Sequence, residues 1–502
     1  MIFQASLLLP MITSFVNHSR QFLPAGKCAI VKTMMKNRRC VEITKKLTFR
    51  ETIFVASMLF GMFFGAGNLI FPVSMGQMAG SHIWQAAAGF LITGVGLPLL
   101  GVAALGISRE TGLLGLGSRV GRGYGMFFTC ALYLTIGPFF AIPRCASVSY
   151  TVGMEGILAG EGSFLFQAAF SFTFFAAVLF FALRPGQIMT WIGKVLNPLF
   201  LAFLAVLVVR ALTAPMGGVR EAIPSGDYVE SAFSTGLLEG YNTMDALAGL
   251  AFGIVVIDVI RGLGVTEPEE VAKSTVKAGI FSSVLMAVIY LLVSVMGTQS
   301  TGQLEVSSNG GEALARIADS YFGGGGAFIL AVIVTVACLK TAVGLITSCG
   351  ETFAEMFPGG PSYHVWAVVF CVGSFLVANL GLDAIIAYSL PVLMFLYPLA
   401  IVLVLLTLTG RWFGNDPVVL RWALGLTGVA ALFDGLGALP EGTRALLHLD
   451  GLTASALKLL PLSGQGFGWV CPAFLGTAIG LAVHAYAAGG RAGKREKTGG
   501  ER

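Results

Sequence analysis

The chain has 502 residues, 56% of them hydrophobic and only 11% charged, with a formal net charge of +5 and a mean hydropathy of +0.83. A soluble domain carries about a quarter charged residues, so this balance excludes an ordinary water-soluble protein. The basic excess is that of a membrane protein with charged loops and predicts no nucleic-acid partner.

Residues 1–45 come first. Their one apolar run, Met1 to Val16, is too short to cross a bilayer and is interrupted by Pro10. No small-residue cleavage site follows it, so the segment reads as a poorly ordered extension. Met34 or Met35 is then a plausible start, since "MMKNRRC" and Lys45–Lys46 make a basic cytoplasmic end.

From there about twelve apolar stretches, each able to cross roughly 30 Å of hydrocarbon, are expected at 52–79, 83–107, 124–150, 164–183, 187–212, 231–259, 274–298, 327–356, 364–380, 383–409, 418–438 and 467–488. Alternating strand patterns are absent, so the expectation is an all-α integral membrane protein, one transporter domain over 46–490 and a basic tail over 491–502. Lys36, Arg38, Arg39, Lys45, Lys46, Arg109, Arg119, Arg122, Arg184, Arg261, Lys273, Lys277, Arg411, Arg421 and the tail from Arg491 share one side if the N-terminus is inside. Arg220, Arg316, Arg444 and Lys458 fall on the other. Both termini are therefore expected in the cytoplasm.

The first span contradicts itself. "MLFGMFFGAGNLIFP", Met58 to Pro72, is lipid-compatible except for Gly61, Gly65 and Gly67, which weaken a helix, and Asn68, which places a bare amide in hydrocarbon. The sixth span repeats the anomaly with Glu239, Gly240, Asn242, Thr243 and Asp245 between apolar flanks, although an ionised Asp at membrane depth costs about 2.5–3.5 kcal/mol on insertion scales. Spans one and six occupy matching places if the first ten helices form two five-helix halves. Interrupted helices at matching positions of two repeats point to a transporter's central site. A half-helix starting near Asn68 would turn its N–H dipoles toward an anion such as a carboxylate, while carbonyls around Gly61 to Gly65 suit a cation. The plainer reading of Gly65 and Gly67 is close helix packing, but packing has no need of Asn68, Thr243 and Asp245.

"FFGAGNLIFP" (Phe63 to Pro72), "LTIGPFFAIPR" (Leu134 to Arg144), "GYNTMDALAGLAFGIVV" (Gly240 to Val256), "KTAVGLITSCGETF" (Lys340 to Phe353) and "SLPVLMFLYPL" (Ser389 to Leu399) closely resemble the branched-chain amino acid:cation symporters, the BrnQ-type carriers of bacteria, within the amino acid-polyamine-cation superfamily. The similarity runs from about 48 to about 488. It implies a bundle like that of the bacterial leucine transporter, a 5+5 inverted repeat with broken helices 1 and 6, in the bacterial inner membrane. It also implies import of leucine, isoleucine and valine, usually with sodium as the coupling ion, no other cofactor, and no enzyme activity.

Carried over by position from that fold, the carbonyls of Gly61 and Phe64 face one sodium, and Asn68 and Thr243 stand near a second. Thr341, Gly344, Leu345 and Ser348 share one face of span eight, so Thr341 and Ser348 are the partner wall for the first ion. The plainer reading is that these hydroxyls, Thr347 included, bond their own helix's carbonyls. The substrate set is Gly65, Ala66, Gly67, Asn68, Gly240, Tyr241, Thr243, Asp245 and Phe139, with Phe63 and Phe252 as further candidate walls.

Lys340 stands where the family is expected to hold a small or apolar residue. It leaves room for proton coupling, or it snorkels, or it faces a cavity. Arg144 either approaches the substrate carboxylate or braces loops or a gate carboxylate, and the second is the expectation. Asp258 and Arg261 read as gate or loop residues at the cytoplasmic end of span six.

Other chemistries lack their motifs. The eight cysteines, among them Cys130, Cys338, Cys349 and Cys371, form no CxxC, and His18, His82, His364, His448 and His484 are scattered without HExxH spacing. No GxxxxGK[ST] occurs, and Gly323 to Gly326 read as an extracellular turn. Two rivals stay open at this point: a proton-coupled or exchange-type amino acid permease, and a non-transporting membrane sensor. The oligomeric state has no signal in the sequence.

Overall fold

A computed structural model describes residues 45–499 apart from 66, 109, 111, 156–163 and 185–196. The proposed N-terminal extension, Ala66, Arg109 and the last three residues of the tail therefore lie outside the described residues.

Helix α1 (Phe49–Phe63) opens on a reciprocal cap, in which Thr48 Oγ1 accepts from Glu51 N–H and Glu51 Oε2 accepts from Thr48 N–H. That cap supplies partners for amide groups that a helix start leaves bare, which is why the helix begins before the apolar run does. α2 (Gly67–Ala79) completes the first span. α3 (Ile83–Leu91) and α4 (Leu97–Ser108) follow, joined through a π-turn at Ile92–Gly96. Then come α5 (Arg122–Leu134), α6 (Ala141–Tyr150), α7 (Phe164–Ala182) and α8 (Asn197–Thr213). The second half begins with α9 (Tyr228–Asn242) and α10 (Asp245–Gly262), followed by α11 (Pro268–Ser300), α12 (Gly310–Met356), α13 (Tyr363–Ala378) and α14 (Leu382–Thr409). α15 (Pro417–Gly437) and α16 (Val470–Gly499) end the chain, so most of the expected basic tail continues a helix.

By length and apolarity, 8 of the described helices are able to cross a membrane, or 9 with the bent pair α9–α10 counted as one span. Among the described residues the twelve expected stretches fall mainly on helix, with 187–196 of the fifth lying outside them, and the lower number has plain causes. The 42-residue stretch Gly67–Ser108 contains parts of two expected spans, while Tyr363–Ala378 and Leu201–Thr213 are short apolar helices.

Two groups of helices organise the bundle. α11 packs along both halves of the first span, α3 along α9 and α4 along α10, while α12 packs along α6, α7 and α13. The first group therefore contains both broken spans. Its crossings use glycine as a substitute for a side chain: a Cβ on Gly76 of α2 would overlap the Ser294 carbonyl of α11, and a Cβ on Gly297 of α11 would overlap the Val73 carbonyl of α2. Lipid tails give apolar helices no reason to associate, so close backbone contact of this kind carries the packing.

The expected turn at Gly323 to Gly326 lies inside α12. Gly323 takes φ 65° and ψ −171°, which breaks the helix direction at the one residue type that adopts it without strain.

Candidate functional site

Both anomalous spans come apart. α1 ends at Phe63, and Phe64 leaves the helix with ψ 97°. The Gly65 N–H, which a continuing helix would send to the Gly61 carbonyl, donates instead to Asn68 Oδ1 at 2.9 Å. Gly61 C=O thus loses its helical partner, and the side chain of Asn68 closes the turn that restarts the helix. In span six the break is at Thr243 and Met244, where the axis bends by 43°. Met244 sits in the left-handed region with φ 61°, which costs a non-glycine residue about 1–2 kcal/mol. Thr243 supports the restart: its hydroxyl donates to the Gly240 carbonyl at 2.9 Å and accepts from Asp245 N–H at 3.3 Å.

The two breaks bond to each other. Asn68 Nδ2 donates to Asp245 Oδ2 at 2.7 Å, and Tyr290 of α11 donates its hydroxyl to the same oxygen at 2.6 Å. Asn68 also donates to the Tyr290 hydroxyl. Asp245 is 2% exposed, so its charge is held by directed donors and by the start of α10, whose N–H groups favour an anion.

Between the breaks lies a cavity of about 50 Å³, with Gly65, Gly67, Asn68, Thr243, Asp245 and Thr341 among its lining residues. Its apolar side includes Met62, Phe63, Ile136, Phe252 and Leu345. Arg144 of α6 completes it, 2% exposed. Its Nη1 donates to the Asn242 carbonyl at 2.6 Å and its Nη2 to Ser389 Oγ at 3.1 Å, and the guanidinium carbon lies 4.9 Å from the Phe71 ring centre. Room for one or two waters, at about 30 Å³ each in the liquid, does not admit an amino acid; the walls must part to load one.

Thr341 faces the first break closely. A Cβ built on Gly65 would stand 3.2 Å from Thr341 Cγ2 and 3.5 Å from its Oγ1. The Thr341 hydroxyl donates to the Ala337 carbonyl at 3.1 Å, which uses its proton and leaves its lone pairs for an acceptor's role. Thr347 bonds Val343 O in the same way at 2.9 Å.

The remaining candidates stand elsewhere. Gly240 is not on the cavity wall; it marks the crossing of α9 over the α3–α4 turn, where a Cβ would overlap Thr93 Oγ1. Tyr241 is fully buried and stacks on Tyr397 with ring centres 4.0 Å apart. Phe64 stacks on Phe60 at 4.9 Å, and Phe139 is 48% exposed in the π-turn Thr135–Phe139. Gly61, Ser348 and Lys340 are not among the lining residues. Asp258 and Arg261 are exposed and pair with each other at 3.5 Å. Arg144 braces the end of α9, as expected of a bracing residue, but it also lines the cavity. Met244 and Cys145 also line the cavity, and neither they nor Tyr290 stand out in the sequence, because a single Tyr, Met or Cys in an apolar run gives no signal.

Gly240→Ala is expected to destabilise the fold by about 1–3 kcal/mol through overpacking, seen as a lower midpoint of thermal unfolding in detergent. Thr93→Ala in the same chain should restore part of the loss. An unchanged midpoint in Gly240→Ala would remove the packing assignment.

Among the described residues no group of three or more His, Cys, Asp or Glu side chains is placed to hold a metal ion. The lining offers instead amide, hydroxyl and carbonyl oxygens and one carboxylate, a donor set suited to a hard monovalent cation.

The profile of a family described as branched-chain amino acid transport protein matches residues 48–487. A branched-chain amino acid permease BrnQ of Lactobacillus delbrueckii subsp. lactis is 51% identical over 429 residues, 85% of this chain and 95% of that one. The permease BrnQ of Bacillus subtilis (strain 168) is 41% identical, covering 87% of this chain and 98% of its own. Two solved structures share the fold. Mhp1, a nucleobase-cation-symport-1 family transporter in a closed conformation with bromovinylhydantoin bound, aligns with a TM-score of 0.53 at 16% identity over 87% of this chain and 93% of its own. MhsT in complex with L-phenylalanine aligns with a TM-score of 0.53 at 17% identity over 86% and 99%. At such identity the likeness is one of fold alone.

Proposed function

Because this chain belongs to the branched-chain amino acid transport protein family, we propose that it is a secondary active symporter importing leucine, isoleucine and valine with sodium across the bacterial inner membrane. The family and its relatives are transporters, not enzymes. The observation that carries the reading is the meeting of two broken helices at one buried cavity, tied through Asn68 and Asp245.

Asn68, Thr243 and Thr341 supply neutral oxygens for a sodium ion, and the Gly61 carbonyl, freed by the break, points the same way chemically. The Asp245 carboxylate faces the positive end of the substrate or the ion. Met62, Phe63, Ile136, Phe252 and Leu345 form an apolar lining for a branched side chain. Leucine, isoleucine and valine differ by about a methylene, worth roughly 1–3 kcal/mol, so one pocket of this kind accepts all three. Sodium and substrate together hold the broken spans against α6 and α12, and their release lets the two helix groups rock apart. Lys340 lies off the cavity wall, so proton coupling through it gains no support from the site.

In proteoliposomes at fixed pH, replacing external sodium by choline should reduce the initial uptake of labelled leucine to background. Full uptake without sodium removes the coupling and leaves the proton-coupled or exchange-type permease. Absence of any leucine accumulation at every ion composition would favour the non-transporting sensor.

A further inference from the structure

Arg144 is the one arginine buried among the described residues. A guanidinium carries five N–H donors in a rigid fork and never gives up its charge. Here one donor goes to the carbonyl of Asn242 and one to the hydroxyl of Ser389, both neutral acceptors, while Nε has no hydrogen-bond partner. No carboxylate forms an ion pair with it among the described residues; the nearby Glu239 instead accepts from Asn242 Nδ2 at 3.2 Å. Glu239 acts on its charge without a direct ion pair, and the buried guanidinium on the cavity wall keeps an idle Nε donor that can take a further acceptor.

The surroundings agree on where such an anion would sit. α2 is 13 residues long and starts at Gly67, so its N-terminal N–H groups and the positive end of its dipole lie at the same cavity. A Cβ built on Gly67 would stand 3.6 Å from Arg144 Nη1, which places the guanidinium beside the start of α2. Among the described residues Asp245 is the only carboxylate in the lining. The cavity thus holds one guanidinium and one carboxyl group, the pair of side-chain chemistries that complements a zwitterion.

We propose that Arg144 receives the α-carboxylate of the transported amino acid, with Nε completing a charge-assisted contact that the start of α2 reinforces. Charge-assisted bonds of this geometry are about twice as strong as neutral ones. This rests on the transport reading above. It adds that the carboxylate is recognised by a side chain of the chain itself, and that the bracing bonds to Asn242 and Ser389 orient the fork for that purpose.

The test uses the full chain in lipid nanodiscs, with its arginine guanidino nitrogens labelled with nitrogen-15 and leucine as the probe. Binding of tritiated leucine is measured first. No binding by the unmodified chain counts against the transport reading itself. Given binding, leucine should shift the Nε resonance of a single arginine that is protected from solvent exchange. A bound leucine that leaves this resonance unmoved overturns the proposal while leaving transport intact. Competition supplies the second measurement: the chain should prefer leucine to leucinamide, which lacks the anionic group, and Arg144→Gln should narrow that preference at least about tenfold. Equal weakening of both ligands would mean that Arg144 only braces the helix end and would also overturn the proposal. If Arg144→Gln fails to fold, the resonance of the unmodified chain decides alone.

Discussion

Asp245→Asn is expected to lower the initial rate of leucine uptake by about two to three orders of magnitude in a chain that still folds. The two consequences separate because the substitution is isosteric. Asn at 245 keeps an oxygen that accepts from Asn68 and Tyr290, at the places where Asp245 Oδ2 now accepts at 2.7 and 2.6 Å. What disappears is the negative charge in a site 2% exposed. Removing one member of a desolvated charge pair costs about 3–5 kcal/mol, and each 1.36 kcal/mol is a factor of ten. Tyr290→Phe provides the contrast: it deletes one hydroxyl donor and leaves the carboxylate, so a loss of about tenfold is expected for a hydrogen bond to a charged group. Both are read as initial uptake in proteoliposomes normalised to folded protein. An Asp245→Asn chain retaining more than a tenth of the rate, or a Tyr290→Phe chain losing more than Asp245→Asn, would show that the carboxylate serves helix packing and not the transported species.

The place of the breaks was legible because hydrocarbon penalises what stands there. Gly65, Gly67 and Asn68 in one apolar run, and Thr243 and Asp245 in another, have no stable position in an uninterrupted lipid-facing helix, and the chain does part at both. The family follows from long matching stretches in order, and the fold from the family. Residue roles were less legible, because a one-dimensional pattern does not say which face of a helix turns inward. Gly240 and Tyr241 adjoin the break, yet one serves the contact with Thr93 and the other stacks on Tyr397. Phe139 lies five residues from Arg144 in the same motif, and the irregular backbone between them at Phe140, with φ −135° and ψ −58°, separates an exposed ring from a buried guanidinium. Met244 shows the limit most clearly. Its left-handed conformation is imposed by the restart of α10 at Asp245, and nothing about a methionine announces it.

Thr341→Val should raise the sodium concentration needed for half-maximal uptake by at least about tenfold while the rate at saturating sodium stays near that of the unmodified chain. Valine keeps the branched shape against Gly65 and removes the hydroxyl, whose proton is already committed to Ala337 O at 3.1 Å. The lost feature is therefore the lone pairs that face the first break, and one oxygen ligand to a charged species is worth about 1.5–3 kcal/mol, equivalent to roughly ten- to a hundredfold. Gly65→Ala attacks the same contact from the other side: its Cβ would press on Thr341 Cγ2 at 3.2 Å, moving the break away from α12. Thr341→Ser removes that methyl and keeps the oxygen, so Gly65→Ala with Thr341→Ser should recover sodium affinity that Gly65→Ala alone loses. This reversal is what an ion held between the break and α12 demands. A fall in rate that is the same at every sodium concentration, or a Thr341→Ser change that does nothing for Gly65→Ala, would place the coupling ion elsewhere in the bundle.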